Sequence, residues 1–162
     1  MGSWITFNVG DDPAARANCT EVMRHFFAAG GRMIDSSPMY GSAQDVIGEG
    51  WRRLGKSARL FAADKVWTGA GASGPAQIET ARRLWGVPSF DLLQVHNLLV
   101  WQENLPTLFK MKAAGRLRHV GITGAKLNCS AWRRIRPHSQ RSGCKASALL
   151  CFVPCIRPIS PH

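Results

Sequence analysis

Short apolar runs alternate along residues 1–124 with segments whose apolar side chains recur every three or four positions. The runs span four to seven residues, which is the usual length of a buried strand. The segments between them have the periodicity of an amphipathic helix with one buried face. The pattern predicts strands at residues 3–7, 32–35, 60–66, 91–96 and 118–123.

Four helices are predicted between these strands. Asp12 followed by a proline is typical of a helix start, with an N-cap and a proline at the first helical position. A second helix is predicted to begin at Ser42, where Asp45 three residues later resembles a capping box. Two more are predicted at residues 75–85 and 105–114. Strands that alternate with helices, in units of about 30 residues, indicate an α/β fold with a parallel sheet.

The size and hydrophobicity of the chain fit one folded domain. It has 162 residues, of which 45% are hydrophobic, enough for a packed core. No apolar run approaches the roughly 18 residues that cross a bilayer, and the first residues lack the basic and apolar segments of a secretory signal. We therefore expect a cytoplasmic protein that makes no membrane contact.

The formal net charge of +11 is unevenly distributed. Residues 1–124 hold fourteen Lys and Arg and all ten Asp and Glu, for a net charge of +4. Residues 125–162 hold seven Lys and Arg and no acid, for a net charge of +7, and they show no amphipathic period. The composition predicts a domain over residues 1–124 and a tail over residues 125–162 that is disordered or translated from a shifted reading frame.

Three weaker signals do not alter this interpretation. The glycine-rich segment at residues 69–74 fits a dinucleotide-binding spacing, but a flexible loop between strand and helix explains it more simply. The basic segment at residues 132–136 is interpreted as incidental, so no specific nucleic-acid partner is expected. No metal site is predicted, because no C-x-x-C pair occurs among the tail cysteines Cys129, Cys144, Cys151 and Cys155.

Four polar side chains fall at or after the ends of three successive predicted strands. Asp35 ends one strand and Tyr40 follows five residues later, Lys65 lies near the end of the next strand, and His96 ends the one after. Because the carboxyl ends of parallel strands in a barrel point to the same rim, these side chains are expected to converge on one site. Taken singly, each also has an ordinary interpretation, as a helix cap, a packing residue, a surface lysine or a rim histidine.

Several separated motifs resemble the aldo-keto reductase family in order and spacing. They read GRMIDSSPMYG at residues 31–41, ADKVW at 63–67, FDLLQVHN at 90–97 and RHVGIT at 118–123. The resemblance implies a (β/α)8 TIM barrel, of which about five βα units are present. Since a complete barrel usually takes roughly 250 residues, we expect an incomplete barrel followed by an irregular basic tail.

The resemblance also implies a catalytic tetrad of Asp35, Tyr40, Lys65 and His96. Members of this family are NADP(H)-dependent oxidoreductases that reduce an aldehyde or ketone to an alcohol by hydride transfer. Tyr40 would be the general acid, and the charge of Lys65 would favour the phenolate that is left behind. Asp35 would hold Lys65 in place, and His96 would orient the oxygen of a small carbonyl substrate.

Further contacts are implied by the positions that flank the tetrad. The first-strand segment of the family contacts the nicotinamide end of the cofactor, and the residues that follow tetrad members line the substrate pocket. Carried onto this sequence, the cofactor contacts are Ser3, Trp4, Asp35 and Thr123, and the substrate contacts are Trp67 and Asn97.

An incomplete barrel alters the expected activity. The family draws most of its contacts to the NADP phosphate and adenine from the second half of the barrel, so we expect truncation to impair the reductase. Unpaired strand edges would also favour self-association. Two alternatives stay open, namely a non-enzymatic half-barrel interaction protein and a nonfunctional pseudogene product.

Overall fold

A parallel sheet of four strands forms the centre of the computed structural model, which describes residues 1–56, 59–124 and 151–152. In spatial order the strands are β1 (Met33–Asp35), β2 (Phe61–Val66), β3 (Phe90–Val95) and β4 (Leu117–Ile122). A two-residue strand, β5 (Cys151–Phe152), pairs with β4 in the antiparallel direction. The parallel strands confirm the last four of the predicted strands, with ends that differ by at most one residue.

Helices alternate with these strands along the chain. They are α1 (Pro13–Ala28), α2 (Ala43–Arg53), α3 (Gly74–Trp85) and α4 (Trp101–Ala113), with 3-10 helices at Gly71–Ser73 and His96–Leu98. Parallel strands that are neighbours in both sequence and space, each separated from the next by a helix, have the arrangement of a (β/α) barrel. The described residues form part of such a barrel, as predicted.

The strand register places alternate residues on opposite faces of the sheet. Lys65 pairs with Gln94, and Gln94 pairs with Gly121, so these three positions share the face that lines the barrel interior. The opposite face packs against the helices. Its buried residues, each at most 1% exposed, include Ile34, Val66, Val95 and Ile122. Burial of this apolar face holds the sheet to the helices.

The start of α1 is confirmed as predicted. The carboxylate of Asp12 accepts hydrogen bonds from two backbone N–H groups of the first turn, which satisfies donors that the helix leaves free. One turn later, Arg16 binds the carboxylates of Asp45 and Glu49 on α2 at 2.8 and 2.6 Å. These two ion pairs fix α1 beside α2.

The strand predicted at residues 3–7 is wrong. Gly2 forms a single parallel bridge with Asp35, and the chain then turns. Ile5 has a φ of 65°, in the left-handed region that no strand residue adopts. A backbone that turns at this point cannot extend the ladder, so the described residues form four parallel strands instead of the five predicted.

The capping box predicted at the start of α2 is also wrong. Ser42 has helical φ and ψ of −76° and −3°, and its side chain makes no capping bond. Its hydroxyl instead donates to Oδ1 of Asn8 at 3.2 Å and accepts from the N–H of Gly10 at 2.9 Å. Asp45 binds Arg16 rather than the helix start. Ser42 thus ties the loop before α2 to the N-terminal segment.

The helix α4 begins at Trp101, four residues before the predicted start at residue 105. Pro106 lies inside it, so one intrahelical hydrogen bond is missing there while the helix continues on both sides. The predicted tail lies outside the described residues, apart from the backbone of β5. In the described part of the chain, no helix has both the length and the apolar character needed to cross a membrane.

Candidate active site

The strand ends bring the four predicted tetrad residues to one rim of the sheet. Asp35 is the last residue of β1, Lys65 is the next-to-last residue of β2, and His96 directly follows β3. Tyr40 lies in the loop between β1 and α2. The three strands are neighbours in the sheet, so side chains from separate parts of the sequence meet here.

A buried ion pair lies at the centre of this cluster. The ammonium of Lys65 donates to Oδ2 of Asp35 at 2.5 Å and to the backbone carbonyl of Ser36 at 2.7 Å. The Lys65 side chain is only 5% exposed, whereas that of Asp35 is 22% exposed. The second oxygen of Asp35, Oδ1, is buried and has no hydrogen-bond partner within residues 1–56 and 59–124. The site therefore holds a fixed cation next to an unsatisfied acceptor.

Tyr40 lies against both the cation and the histidine. Nζ of Lys65 is 5.0 Å from the centroid of the Tyr40 ring. The rings of Tyr40 and His96 meet edge to face, with centroids 5.9 Å apart and an interplanar angle of 88°. The exposed ring of Trp4 lies on another side, 6.4 Å from that of Tyr40. Tyr40 is the single tyrosine of the chain, so no other phenol can serve at this site.

Two hydrogen bonds between Ser42 and Asn8 hold the loop that carries Tyr40. Oδ1 of Asn8 accepts from both the backbone N–H and the hydroxyl of Ser42, at 3.0 and 3.2 Å. Gly41, between Tyr40 and Ser42, has a φ of 58°, and a Cβ at this glycine would collide with the Asn8 side chain. The loop can approach Asn8 this closely only because residue 41 has no side chain.

His96 is buried and bonded to a neighbouring serine. The hydroxyl oxygen of Ser37 lies 2.8 Å from Nδ1 of His96. Burial, together with the nearby charge of Lys65, lowers the pKa of His96 to about 4. The imidazole is therefore neutral at neutral pH, with one nitrogen that donates and one that accepts. Sequence reasoning missed Ser37, because nothing in the spacing of residues 37 and 96 indicates their contact.

Asp64 is a second acid that the sequence did not single out. It is fully buried on the face of β2 that packs against the helices, directly before Lys65. Its two oxygens accept from the side-chain amide of Gln44 and from the N–H of Lys65, each at 2.7 Å. Burial raises the pKa of Asp64 to about 7, against the effect of these bonds. The sequence signal that could have identified Asp64 is a charged residue at a helix-facing position of a strand that is otherwise apolar on that face.

The predicted cofactor contacts lie around the same rim. Ser3 is fully buried, and its hydroxyl donates to the backbone carbonyl of Asp35 at 2.9 Å. Trp4 is 61% exposed. Thr123 follows β4, and its hydroxyl oxygen accepts from the N–H of Asn97 at 3.3 Å. Their roles stay predictions.

The two predicted substrate contacts flank the tetrad. Trp67 follows β2 and exposes 41% of its surface, while its backbone N–H and carbonyl both bond the side-chain amide of Gln77. Asn97 is exposed, with a φ of 54° in the turn after β3. Both residues are exposed, and their roles stay predictions.

Comparisons with known proteins agree with this architecture. Methylglyoxal reductase YeaE of Escherichia coli is 25% identical over 127 residues, which are 76% of this chain and 44% of that protein. The crystal structure of an aldo/keto reductase from Klebsiella pneumoniae in complex with NADP and acetate matches with a TM-score of 0.67 at 23% identity, over 82% of this chain and 47% of that one. The glycerol dehydrogenase from Gluconobacter oxydans matches with a TM-score of 0.69 at 19% identity, over 85% and 48%.

These identities are low enough that the two structures support the fold alone. The chain spans about half the length of the relatives it matches. The model of the family described as Aldo/keto reductase family matches residues 1–149 and so passes the boundary predicted after residue 124. That boundary and the predicted self-association stay predictions. Because the family match covers more than half of the chain, this protein belongs to the aldo/keto reductase family.

Proposed function

We propose that this chain reduces an aldehyde or ketone to an alcohol, with Tyr40 as the general acid. NADP(H), when bound, supplies the hydride, since such a cofactor carries chemistry that side chains do not. One observation carries the proposal beyond family membership. The buried ammonium of Lys65 lies 5.0 Å from the centroid of the Tyr40 ring while it is paired with Asp35.

The proton of the Tyr40 hydroxyl passes to the carbonyl oxygen of the substrate and leaves a phenolate. The positive charge of Lys65 lies close to the Tyr40 ring and compensates the negative charge that develops on the phenol oxygen during this transfer, because its side chain is only 5% exposed. Asp35 and the carbonyl of Ser36 hold the ammonium, so the charge stays in place without reorganisation.

His96 acts as a hydrogen-bond donor to the substrate oxygen. A pKa of about 4 keeps its ring neutral near neutral pH, so it does not compete with Tyr40 as the acid. A neutral imidazole still carries one N–H that can donate. The edge-to-face contact keeps the Tyr40 hydroxyl and the His96 ring close enough for both to bond one carbonyl oxygen.

The described residues fit the nicotinamide end of the proposed cofactor. Oδ1 of Asp35 is a buried acceptor without a partner in the described part of the chain, which is costly unless a bound molecule brings a donor. A sugar hydroxyl is such a donor. We propose that Asp35, Trp4 and Thr123 contact the cofactor, while the hydroxyl of Ser3 holds the backbone of Asp35 in position.

The substrate class of the proposal is a small carbonyl compound, contacted by Trp67 and Asn97. The matched Escherichia coli relative is named for methylglyoxal, which makes that compound a suitable first substrate for this chain. Because the chain spans about half of that relative, the activity of the whole enzyme is itself part of the proposal.

The proposal is tested by measuring NADPH consumption by the purified chain with methylglyoxal and with simple aldehydes and ketones. Tyr40→Phe removes the proton donor and keeps the ring, so turnover should fall by about 10²- to 10⁴-fold. Lys110→Met, a substitution at an exposed position of α4, is the control and should leave turnover unchanged. Circular dichroism checks that each variant is folded.

Two results would overturn the proposal. Folded wild-type chain that consumes no NADPH at saturating substrate would contradict it, and the interaction-protein alternative would then be favoured. Turnover that survives in Tyr40→Phe would show that the reduction does not use this phenol.

A further inference from the structure

We propose that Ser37 is a positioning residue that decides which ring nitrogen of His96 carries the proton. Its catalytic consequence rests on the proposed function, but the tautomer itself requires neither cofactor nor substrate. The starting observation is the buried contact of 2.8 Å between the hydroxyl oxygen of Ser37 and Nδ1 of His96.

The hydrogen bonds of the Ser37 hydroxyl give the direction of this contact. Ser37 is fully buried, and its hydroxyl has one hydrogen to donate and two lone pairs that accept. The oxygen already accepts from the N–H of Met39 at 3.3 Å. In the described part of the chain, Nδ1 of His96 is the one acceptor found within reach of the hydroxyl hydrogen. The hydrogen therefore goes to Nδ1, which must be unprotonated.

The opposite arrangement leaves a buried donor unsatisfied. If Nδ1 carried the proton, the oxygen of Ser37 would accept from both Met39 and His96, and its own hydrogen would have no acceptor. A buried donor without an acceptor shifts such an equilibrium by about tenfold or more. Ser37 thus favours the neutral form of His96 with its proton on Nε2.

The Nε2–H tautomer suits the reduction of a carbonyl. Among the described residues Nε2 has no hydrogen-bond partner, and its ring lies edge to face against Tyr40. A protonated Nε2 donates to the same substrate oxygen that Tyr40 protonates, and this bond strengthens as the oxygen gains negative charge. With the proton on Nδ1, a lone pair of Nε2 would face that oxygen and repel it.

The adjacent serine provides a matched comparison. Ser36 is as buried as Ser37 and lies in the same loop, and its hydroxyl oxygen has no hydrogen-bond partner among the residues that the structure describes. Ser36→Ala and Ser37→Ala therefore remove the same atom from neighbouring buried positions. Only Ser37→Ala removes a contact with His96.

The tautomer is read from the side-chain ¹⁵N resonances of His96 in labelled full-length chain without cofactor, assigned with His96→Gln. The wild type should show a protonated Nε2 and an unprotonated Nδ1. Ser37→Ala should move both resonances toward a mixture of the two tautomers. Ser36→Ala and Ser37→Thr, which keeps a hydroxyl at residue 37, should retain the wild-type pattern.

The kinetic readout is separate from the tautomer. Under the proposed function, kcat should fall by about tenfold in Ser37→Ala and recover in Ser37→Thr, because the lost bond matters most in the transition state. A wild-type His96 with its proton on Nδ1 overturns the inference even if the chain reduces carbonyls, and so does a tautomer that Ser37→Ala leaves unchanged. The predicted NMR result upholds the tautomer assignment even if no reduction is observed.

Discussion

The ammonium nitrogen of Lys65 lies 5.0 Å from the centroid of the Tyr40 ring, on a side chain that is only 5% exposed. The cation cannot move away from the ring without breaking its bonds to Asp35 and to the carbonyl of Ser36. Three consecutive strands thus hold a charge, a phenol and an imidazole in one place. The free-energy cost of burying the charge is offset by the rest of folding, so no further cost arises during the reaction.

Removal of that charge should abolish most of the proposed reductase activity. Lys65→Met keeps the length of the side chain but leaves the phenolate of Tyr40 without a counter-charge, so kcat/KM for NADPH-dependent reduction should fall by about 10²-fold or more. The variant should also be less stable, because it leaves the Asp35 carboxylate partly buried and unpaired. Steady-state kinetics and urea unfolding measure the two effects.

The matched control is Lys110→Met, which removes a lysine from an exposed position of α4. It should change neither the activity nor the free energy of unfolding by more than about 0.5 kcal/mol. Equal activity in Lys65→Met and Lys110→Met would contradict the role assigned to Lys65.

Loss of the hydrogen bonds between Asn8 and Ser42 should affect activity more than stability. Asn8→Ala removes the acceptor for two bonds that fix the Tyr40 loop, so we expect kcat to fall by roughly tenfold. Because Asn8 is exposed, the free energy of unfolding should change by only about 1 kcal/mol or less. Asn8→Asp keeps an oxygen at this position and should retain most of the activity. A loss as large as that of Asn8→Ala would contradict the view that the hydrogen bonds to Ser42 hold the Tyr40 loop.

Asp64→Asn should make the protein more stable at pH 8. The pKa of Asp64 is about 7 when folded against an ordinary value of 3.8, so the folded state binds more protons between these pH values. Stability from this group is fully present below pH 3.8 and is lost as pH rises toward 7. An amide avoids the buried charge, which is worth about 1.4 kcal/mol for each unit of pKa shift. Its NH₂ group replaces one of the two accepting oxygens, so the side-chain amide of Gln44 must turn its oxygen toward it, and the net gain should be a few kcal/mol at most.

In Asp64→Asn, the effect of His96 on the pH dependence of stability should become visible, because it has the opposite sign to that of Asp64. Its pKa of about 4 lies below the ordinary value of 6.5, so the unfolded state binds more protons in this window and stability rises with pH. Asp64→Asn should therefore gain stability from pH 4 to 6.5, whereas in the wild type the two effects oppose each other. Denaturation at a series of pH values measures this, and a variant no more stable than wild type at pH 8 would refute the prediction.

Gly48→Ala should destabilise the protein although alanine favours helix formation. A Cβ at Gly48 of α2 would collide with the backbone carbonyl of Leu84 in α3, which cannot move aside as a side chain could. We expect a loss of about 1–3 kcal/mol from overpacking, after a helix-propensity gain of up to about 1 kcal/mol. Thermal unfolding of both variants measures the effect. Gly69→Ala, where a Cβ would meet nothing within 4 Å, should be nearly neutral.

The local pattern of the chain was sufficient to predict the four α-helices and the four parallel strands, whereas the four tetrad positions came from the resemblance to the family. Apolar runs separated by helix-patterned segments predicted β1 to β4 within one residue at each end. Residues at the carboxyl ends of parallel strands must share a rim, so the order of the strands alone was enough to place Asp35, Lys65 and His96 together. The strand at residues 3–7 failed because turn formation at Ile5 outweighs a short apolar run.

What the sequence determined by itself is the order of βα units and the chemistry placed at their ends, because strand and helix periods are local properties. Tertiary structure decided which polar groups meet across the fold. Ser42 bonds Asn8 instead of capping α2, and Ser37 bonds His96, because each partner is brought near by packing over more than thirty residues of chain. The raised pKa of Asp64 likewise arises from burial between β2 and the helices, an environment that exists only after the sheet has packed.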